Sequence, residues 1–136
     1  MFERYTEKAR RVVFFARYEA AQAGTPTIEP MHLLLGIIRE DPKLISRCSP
    51  NGSSGQSVRK AIEMRSTPPR ERILTSVELP LSSETKRILL YAAEESDLLN
   101  HRHIGTDHLL LGLLREPGTP WAQVLLEHGL ELETLR

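Results

Sequence analysis

One nine-residue phrase occurs twice in this sequence, as HLLLGIIRE at residues 32–40 and as HLLLGLLRE at residues 108–116. Seven of the nine positions are identical, and the other two exchange only Ile for Leu. The copies lie 76 positions apart, and the same spacing pairs residues outside the phrase, such as Glu19 with Glu95. Because a repeat usually represents one structural unit, the sequence predicts two similar units in one chain.

Each half begins with a predicted amphipathic helix. Thr6 and Ser82 precede the two stretches, and their hydroxyls suit the capping of free N–H groups in a first helical turn. We therefore predict equivalent first helices over roughly residues 6–23 and 82–99. In the first copy the apolar stripe recurs at helical spacing and consists of Ala9, Val12, Val13, Ala16 and Ala20.

The repeated phrase predicts a second helix in each half. In the later copy Thr106 is the expected N-cap, and Asp107 lies near the positive end of the helix dipole. Pro30 replaces that threonine in the earlier copy and suits the first helical turn. Gly36 and Gly112 occupy matching interior positions, where glycine costs about 1 kcal/mol relative to alanine. We therefore expect a close helix contact at both glycines.

A third and a fourth helix complete each half. Pro42 and Pro120 lie near the starts of the third helices, and Gly129 is expected to end the later one. The fourth helices are SVRKAIEM at residues 57–64 and a helix that begins with LELETLR at residues 130–136. The predicted fold is all-α, with two pseudo-twofold-related four-helix repeats packed as one compact domain. The expected bounds are repeat one at about 1–65, a linker at about 66–80 and repeat two at about 81–136.

Composition narrows the class of protein. Eighteen basic residues balance eighteen acidic ones, so we expect neither nucleic acid nor an anionic membrane surface as a partner. Cys48 is the single cysteine and cannot form an internal disulfide, which fits a reducing compartment. No apolar run approaches the roughly 18 residues needed to span a bilayer. We expect a soluble, cytoplasmic protein.

Three stretches together resemble a known family. They are MFERYTEKARRVV at residues 1–13, VELPLSSETKRILLYAAEE at 77–95 and IGTDHLLLGLLRE at 104–116. Over essentially its whole length the chain resembles the N-terminal domain of Clp/Hsp100 unfoldases, most closely that of the ClpC branch. The resemblance implies a double Clp repeat that binds substrate and adaptor proteins and passes them to a Clp ATPase ring above a protease.

The phosphate-binding loop of an ATPase is absent from this sequence. No Gly-Lys dipeptide occurs, so the pattern GxxxxGK[ST] has no match. We expect no enzymatic activity from this chain. Two arrangements remain open: the chain is part of a longer AAA+ ATPase, or it is a free-standing accessory protein that docks on the unfoldase or protease and regulates it.

The resemblance also implies a phosphoarginine site. In the ClpC branch a hydroxyl residue at the start of the first helix and nearby basic residues hold the phosphate, while a carboxylate before the repeated histidine holds the guanidinium. Carried onto the second repeat, these positions are Ser82, Lys86 and Asp107. Asp107 is one methylene shorter than the usual Glu of the family, which we expect to lengthen its contact.

The matching positions of the first repeat depart from the family at one residue. They are Arg4, Thr6, Arg10 and Met31. A thioether cannot pair with a guanidinium, so the resemblance implies a degenerate first site and at most one complete site. The alternative is that Thr6 and Ser82 only cap their helices and that the basic residues are ordinary surface charges.

A hydrophobic groove between the repeats is a further implication of the resemblance. Phe2 and Leu81, with the aliphatic stem of Arg10, match its lining. Such a groove suits an unfolded segment or an adaptor. The alternative is that Phe2 only anchors the start of the chain.

Metal binding and catalysis have weaker support in the sequence. The loop NHRHIGTDH brings His101, His103, Asp107 and His108 close in sequence, which is the best candidate for a zinc site. A metal-dependent enzyme built on this loop is the alternative from another functional class. Cys48 lacks a recognisable base, so it is not expected to be a catalytic nucleophile. We expect no catalytic residue, metal or cofactor in this chain.

Overall fold

The computed structural model describes residues 2–66, 68–74, 77–116 and 119–136. Within them the chain forms eight α-helices and two isolated parallel β bridges, with no longer strand. The predicted all-α class with four helices in each half is therefore confirmed. The helices are α1 Glu7–Ala23, α2 Pro30–Glu40, α3 Leu44–Cys48, α4 Gly55–Arg65, α5 Ser83–Leu98, α6 Thr106–Leu114, α7 Pro120–Glu127 and α8 Leu132–Leu135.

Each half is built on one tightly packed helix pair, α1 with α2 and α5 with α6. The repeated glycines allow the close approach. A Cβ added to Gly36 would lie 2.5 Å from the carbonyl oxygen of Val12, and one added to Gly112 would lie 2.5 Å from that of Ile88. No side chain fits at that separation from a backbone atom. The close contacts predicted for both glycines are confirmed.

The two halves share one hydrophobic core. Helix α2 contacts α5 and α6, and α1 contacts α6. The leucine-rich helices bury equivalent apolar side chains there, which removes their surface from water. The fully buried pairs are Leu33 with Leu109, Leu34 with Leu110, and Ile37 with Leu113. The result is one pseudo-twofold domain of two four-helix repeats.

A buried glutamate on the first helix of each half binds two arginines. In the second half Glu95 is 0% exposed and accepts hydrogen bonds from Arg115 at 3.2 Å and from Arg136 at 2.9 Å. Arg115 directly follows α6, the second helix of its half, and Arg136 directly follows α8. This equivalence makes α8 the counterpart of α4. In the first half the corresponding residues are Glu19, Arg39 and Arg59.

The helix starts match the prediction at two caps and differ at a third. Thr6 and Ser82 accept hydrogen bonds from the backbone N–H three residues on, at 3.1 and 3.2 Å, as predicted. The prediction of Thr106 as an N-cap is wrong, because Thr106 is the first residue of α6 and Gly105 is its N-cap. The hydroxyl of Thr106 is buried and lies 3.5 Å from a carboxylate oxygen of Asp41.

The third helices differ in length between the halves. Pro120 is the first residue of α7, whereas α3 begins only at Leu44, two residues after Pro42. Gly129 has a φ of 84°, the left-handed conformation that glycine adopts at helix ends. Its predicted role at the end of α7 is confirmed. Across the described ranges, no helix has the length and apolar character needed to cross a membrane.

Candidate ligand-binding site at the helix starts

The two β bridges bring the helix starts of opposite repeats together. The backbone N–H of Thr6 donates to Ile104 at 3.0 Å, and that of Ser82 donates to Ile28 at 3.1 Å. Ile104 directly precedes the N-cap of α6, Gly105, and Ile28 directly precedes the N-cap of α2, Glu29. The N-terminus of α1 therefore lies beside that of α6, and the N-terminus of α5 lies beside that of α2.

Because each pair of helix starts comes from opposite repeats, the residues that the resemblance implied for one phosphate site lie at two different pairs. Ser82 and Lys86 open α5 beside the start of α2, where Met31 lies. Asp107 opens α6 beside the start of α1, where Thr6 lies. Among the contacts of the described residues, none joins Asp107 to Ser82 or Lys86. Each pair therefore consists of the first helix of one repeat and the second helix of the other.

The α1–α6 pair brings a hydroxyl, a carboxylate and a basic side chain to one end of the domain. Asp107 is 61% exposed at its side chain, and its Oδ1 accepts the next backbone N–H at 3.0 Å. A Cβ on Gly105 would lie 3.9 Å from the methyl carbon of Thr6, so the two chains nearly touch. Arg10, one turn into α1, is about half exposed and reaches the carbonyl of Phe2 at 3.4 Å.

Arg4, which the resemblance placed in the degenerate first site, contacts the end of α5 and the loop before α6. Its guanidinium lies 2.9 Å from Asp97 and donates to the carbonyl oxygens of Arg102 at 3.1 Å and His101 at 3.4 Å. These contacts tie the start of the chain to the loop before α6. Arg4 is therefore engaged by the protein itself and helps to hold the two helix starts in place.

The α5–α2 pair has a hydroxyl and an ammonium group, and Met31 offers no carboxylate. Lys86 is exposed and forms no ion pair with any other described residue. The sulfur of Met31 accepts a hydrogen bond from the Ser66 hydroxyl at 3.1 Å, which points the side chain toward the end of α4. Glu29, the N-cap of α2, accepts a hydrogen bond from the hydroxyl of Thr27.

Phe2 and Leu81, the two residues predicted to line a hydrophobic groove, lie at the same groove. Its volume is about 610 Å³, and the ring of Phe2 packs edge-on against Tyr5 with centroids 4.9 Å apart. Arg10 is not among the lining residues, although its guanidinium holds the carbonyl of Phe2. Sequence reasoning missed Phe14, which is 62% exposed at the groove. Its position off the apolar stripe of α1 was the available signal. Other lining residues are Val13, Leu79 and Pro80.

The histidine-rich loop contains a hydrogen-bonded pair of histidines, His101 and His108. The N–H of Gly105 donates to Nδ1 of His108 at 2.9 Å, so the ring proton of neutral His108 is on Nε2. That proton faces Nδ1 of His101 at 2.8 Å. Burial lowers the pKa of His108 and favours this neutral form. Within the described ranges, no group of three His, Cys, Asp or Glu residues is placed to hold a metal ion.

Cys48 has the environment of a structural thiol. It ends α3 and is partly buried, and burial raises the pKa of its thiol. The thiolate is the nucleophilic form of cysteine, so a raised pKa lowers its reactivity at neutral pH. This environment opposes the role of a catalytic nucleophile.

Sequence comparison identifies relatives over the whole chain. The family model described as the Clp repeat (R) N-terminal domain matches residues 4–128. The ATP-dependent Clp protease ATP-binding subunit ClpA homolog from Cyanidium caldarium is 38% identical, over 100% of this chain. The chloroplastic chaperone protein ClpC1 of Arabidopsis thaliana is 36% identical with the same coverage. The chain spans 16% and 14% of the length of these two relatives.

Solved structures share the fold. The N-terminal domain of the chaperone ClpD from Arabidopsis thaliana superposes with a TM-score of 0.75 and 28% identity, covering 99% of this chain and 91% of that one. The Hsp104 N-terminal domain from Candida albicans has a TM-score of 0.73 at 18% identity, covering 98% and 87%, and supports the fold alone. Domains of this kind are generally substrate- and adaptor-binding modules of Clp/Hsp100 ATPases. The chain belongs to the Clp repeat N-terminal domain family, among the ClpC and ClpA relatives.

Proposed function

We propose that this domain selects substrate and adaptor proteins for a Clp ATP-dependent unfoldase–protease system. The family match over residues 4–128 carries the proposal. ATP hydrolysis belongs to other parts of such a system, because the sequence has no phosphate-binding loop. The cytoplasm is the proposed location, although ClpC1 of Arabidopsis thaliana is chloroplastic.

The domain reads phosphoarginine at one site, formed across the repeats by Thr6, Arg10 and Asp107. The free N–H groups at the start of α1 and the Arg10 guanidinium attract the phosphate, since helix N-termini and arginines both favour anions. Asp107 accepts hydrogen bonds from the guanidinium of the ligand. The proximity of Thr6 to Gly105 supports this grouping over the one within the second repeat. Ser82 and Lys86 form the incomplete site, because Met31 lacks a carboxylate.

A calorimetric titration with phosphoarginine tests this site, with arginine and phosphoserine as control ligands. We expect one saturable site that is selective for phosphoarginine and is lost in Asp107→Ala. Arg10→Gln is expected to weaken binding at least about tenfold, which corresponds to about 1.4 kcal/mol. Lys86→Gln is the matched control at the equivalent position of the second repeat and is expected to bind normally.

The outcomes separate the two groupings of residues. Loss of binding in Lys86→Gln, with normal binding in Arg10→Gln, would instead support a site formed by Ser82, Lys86 and Asp107 within the second repeat. Met31→Glu adds a carboxylate at the start of α2, which lies beside the start of α5, and is expected to add a second equivalent of bound ligand. If the folded wild-type domain binds no phosphoarginine, the proposal of a phosphoarginine reader is wrong.

The groove lined by Phe2 and Leu81 is the proposed contact for apolar segments of substrates or adaptors. Its exposed Phe14 supports this role, because a large exposed aromatic beside an apolar groove favours a protein contact. The competing proposal, a free-standing regulator of the unfoldase or protease, predicts a different co-purification. A regulator holds subunits of the machine without any client, whereas a recognition domain also binds unfolded clients.

A further inference from the structure

A cavity of about 620 Å³ lies between α1, α2 and α4 of the first repeat. Its lining combines apolar side chains, among them Met31, Leu35 and Ile62, with polar and charged ones. Pro68 and Pro69 form part of the wall beyond the end of α4. The volume is within the range of about 300–1,000 Å³ that small-molecule sites usually have. The proposed phosphate and apolar-segment contacts do not use this cavity.

His32 lines the cavity and has an unpartnered polar atom. The residue is 1% exposed, and its Nε2 has no hydrogen-bond partner among the described residues. Its Nδ1 accepts the backbone N–H of Glu29 at 2.9 Å, so the proton of the neutral ring is on Nε2. Burial lowers the pKa of His32 to about 4, which keeps the ring neutral near pH 7. His32 therefore presents an N–H donor that lacks an acceptor.

The second repeat satisfies the equivalent atom within the protein. His108 occupies the position of His32, and its Nε2 lies 2.8 Å from Nδ1 of His101. The counterpart of His101 in the first repeat is Thr25. The hydroxyl of Thr25 donates to the backbone oxygens of Ala20 and Thr27, each at 3.2 Å. The first repeat thus keeps the donor and lacks the acceptor.

The corresponding cavity of the second repeat is smaller. It has a volume of about 370 Å³, and His108 is not among its lining residues. The large cavity and the unpartnered donor therefore occur together in the first repeat. Because buried donors are almost always satisfied, an external acceptor at this position stabilises the site.

The charges around the cavity already pair with one another. Glu19 lies 2.9 Å from Arg59 and 3.6 Å from Arg39, and Glu63 lies 3.2 Å from Arg59. Two carboxylates and two guanidinium groups leave the lining without formal net charge. A charged ligand would lose hydration here without gaining an unpaired opposite charge. The lining therefore favours an uncharged ligand with an apolar body.

We propose that this cavity binds an uncharged, largely apolar ligand whose carbonyl oxygen accepts the Nε2–H hydrogen bond of His32. A backbone amide within an apolar peptide and a free small-molecule amide both present this chemistry. The proposal is independent of phosphoarginine binding, which uses other residues.

Histidine-selective ¹⁵N NMR tests the proposal with N-acetyl-leucine methylamide as the probe. We expect a saturable shift of the His32 ring signals and of the Met31 methyl signal, with the His108 ring unaffected. N-acetyl-leucine, which carries a carboxylate, is the charge control and is expected to bind at least about tenfold more weakly. A capped hexapeptide with a central Leu-Leu pair, compared with caprolactam, distinguishes a peptide source from a small-molecule source.

Two tryptophan variants at equivalent positions of the two repeats distinguish loss of binding from loss of folding. Gln22→Trp fills the cavity from a partly exposed position on α1 and is expected to weaken binding at least about tenfold. Leu98→Trp makes the same change at the equivalent position of the second repeat and is expected to bind normally. If no amide probe shifts His32 in the folded wild type, or if both variants bind equally, the proposal is overturned.

Discussion

At the scale of single residues, the sequence predicts a contact best where only one residue type fits the local geometry. Gly36 and Gly112 were identified because a glycine costs stability inside a helix unless contact requires it. The assignment of Thr106 as an N-cap is wrong, because the sequence does not show whether a hydroxyl near a helix start faces the free N–H groups or the protein interior. Only the packed structure shows that it turns toward Asp41.

Gly112→Ala is expected to destabilise the domain by about 1–3 kcal/mol. Alanine favours the helix by about 1 kcal/mol, but its Cβ meets a backbone carbonyl that cannot rotate away. Urea denaturation measures the change in the free energy of unfolding. Gln123→Ala on the exposed face of α7 is the control and is expected to change stability little. A more stable Gly112→Ala protein would contradict the close helix contact.

His32 is expected to make the domain less stable in acid. Its pKa is about 4 in the folded state and about 6.5 in the unfolded chain, so the unfolded state binds the proton more readily. Stability is complete above the unfolded pKa and is lost as the pH falls toward 4, by about 3 kcal/mol. Urea denaturation between about pH 7 and pH 4 measures this loss. His32→Gln removes the titrating group, and an unchanged pH slope in that variant would exclude His32 as its source.

At the scale of helices, the 76-residue spacing predicts element pairs better than element ends. It identifies α1 with α5 and α2 with α6, because the buried positions themselves recur. Pro42 indicates the start of α3 only to within two residues, since a proline is compatible with a first turn and with the loop before it. The buried glutamates reveal the equivalence of α4 and α8 most directly, although Glu95 alone gave no indication of its arginine partners.

Arg136→Ala is expected to destabilise the domain by about 1–2 kcal/mol. Removing this partner leaves the buried Glu95 carboxylate with Arg115 alone, and the partial exposure of Arg136 limits the loss. Urea denaturation and amide hydrogen exchange measure the effect, with faster exchange expected in α8. Arg102→Ala is the control for loss of an exposed positive charge. Unchanged stability together with unchanged protection of α8 would show that the ion pair does not hold this helix.

At the scale of the whole molecule, the repeat predicted two units but not how their ends combine. The resemblance implies one set of site positions in each repeat, which places Ser82, Lys86 and Asp107 together within the second repeat. The bridges at Ile104 and Ile28 instead join each unit to the other. Two isolated bridges involve too few residues to produce an alternating strand pattern in the sequence.

Neither half is expected to fold alone. A chain ending at residue 66 exposes the leucines of α2 that are buried against α5 and α6, and a domain of that size has a marginal core. Circular dichroism of residues 1–66 and 77–136 is expected to show low helicity for each fragment and a gain when they are mixed. Cooperative thermal unfolding of either isolated fragment would contradict the shared core.

The bridge at Tyr5 also determines how the domain carries mechanical load. The start of the chain is fastened to Ile104 in the second repeat, through backbone hydrogen bonds of 3.0 and 2.9 Å. A force pulling the two chain ends apart therefore passes from Tyr5 directly into the second repeat and bypasses most of the first. The first repeat is shielded from tension until those hydrogen bonds and the contacts of Arg4 break together.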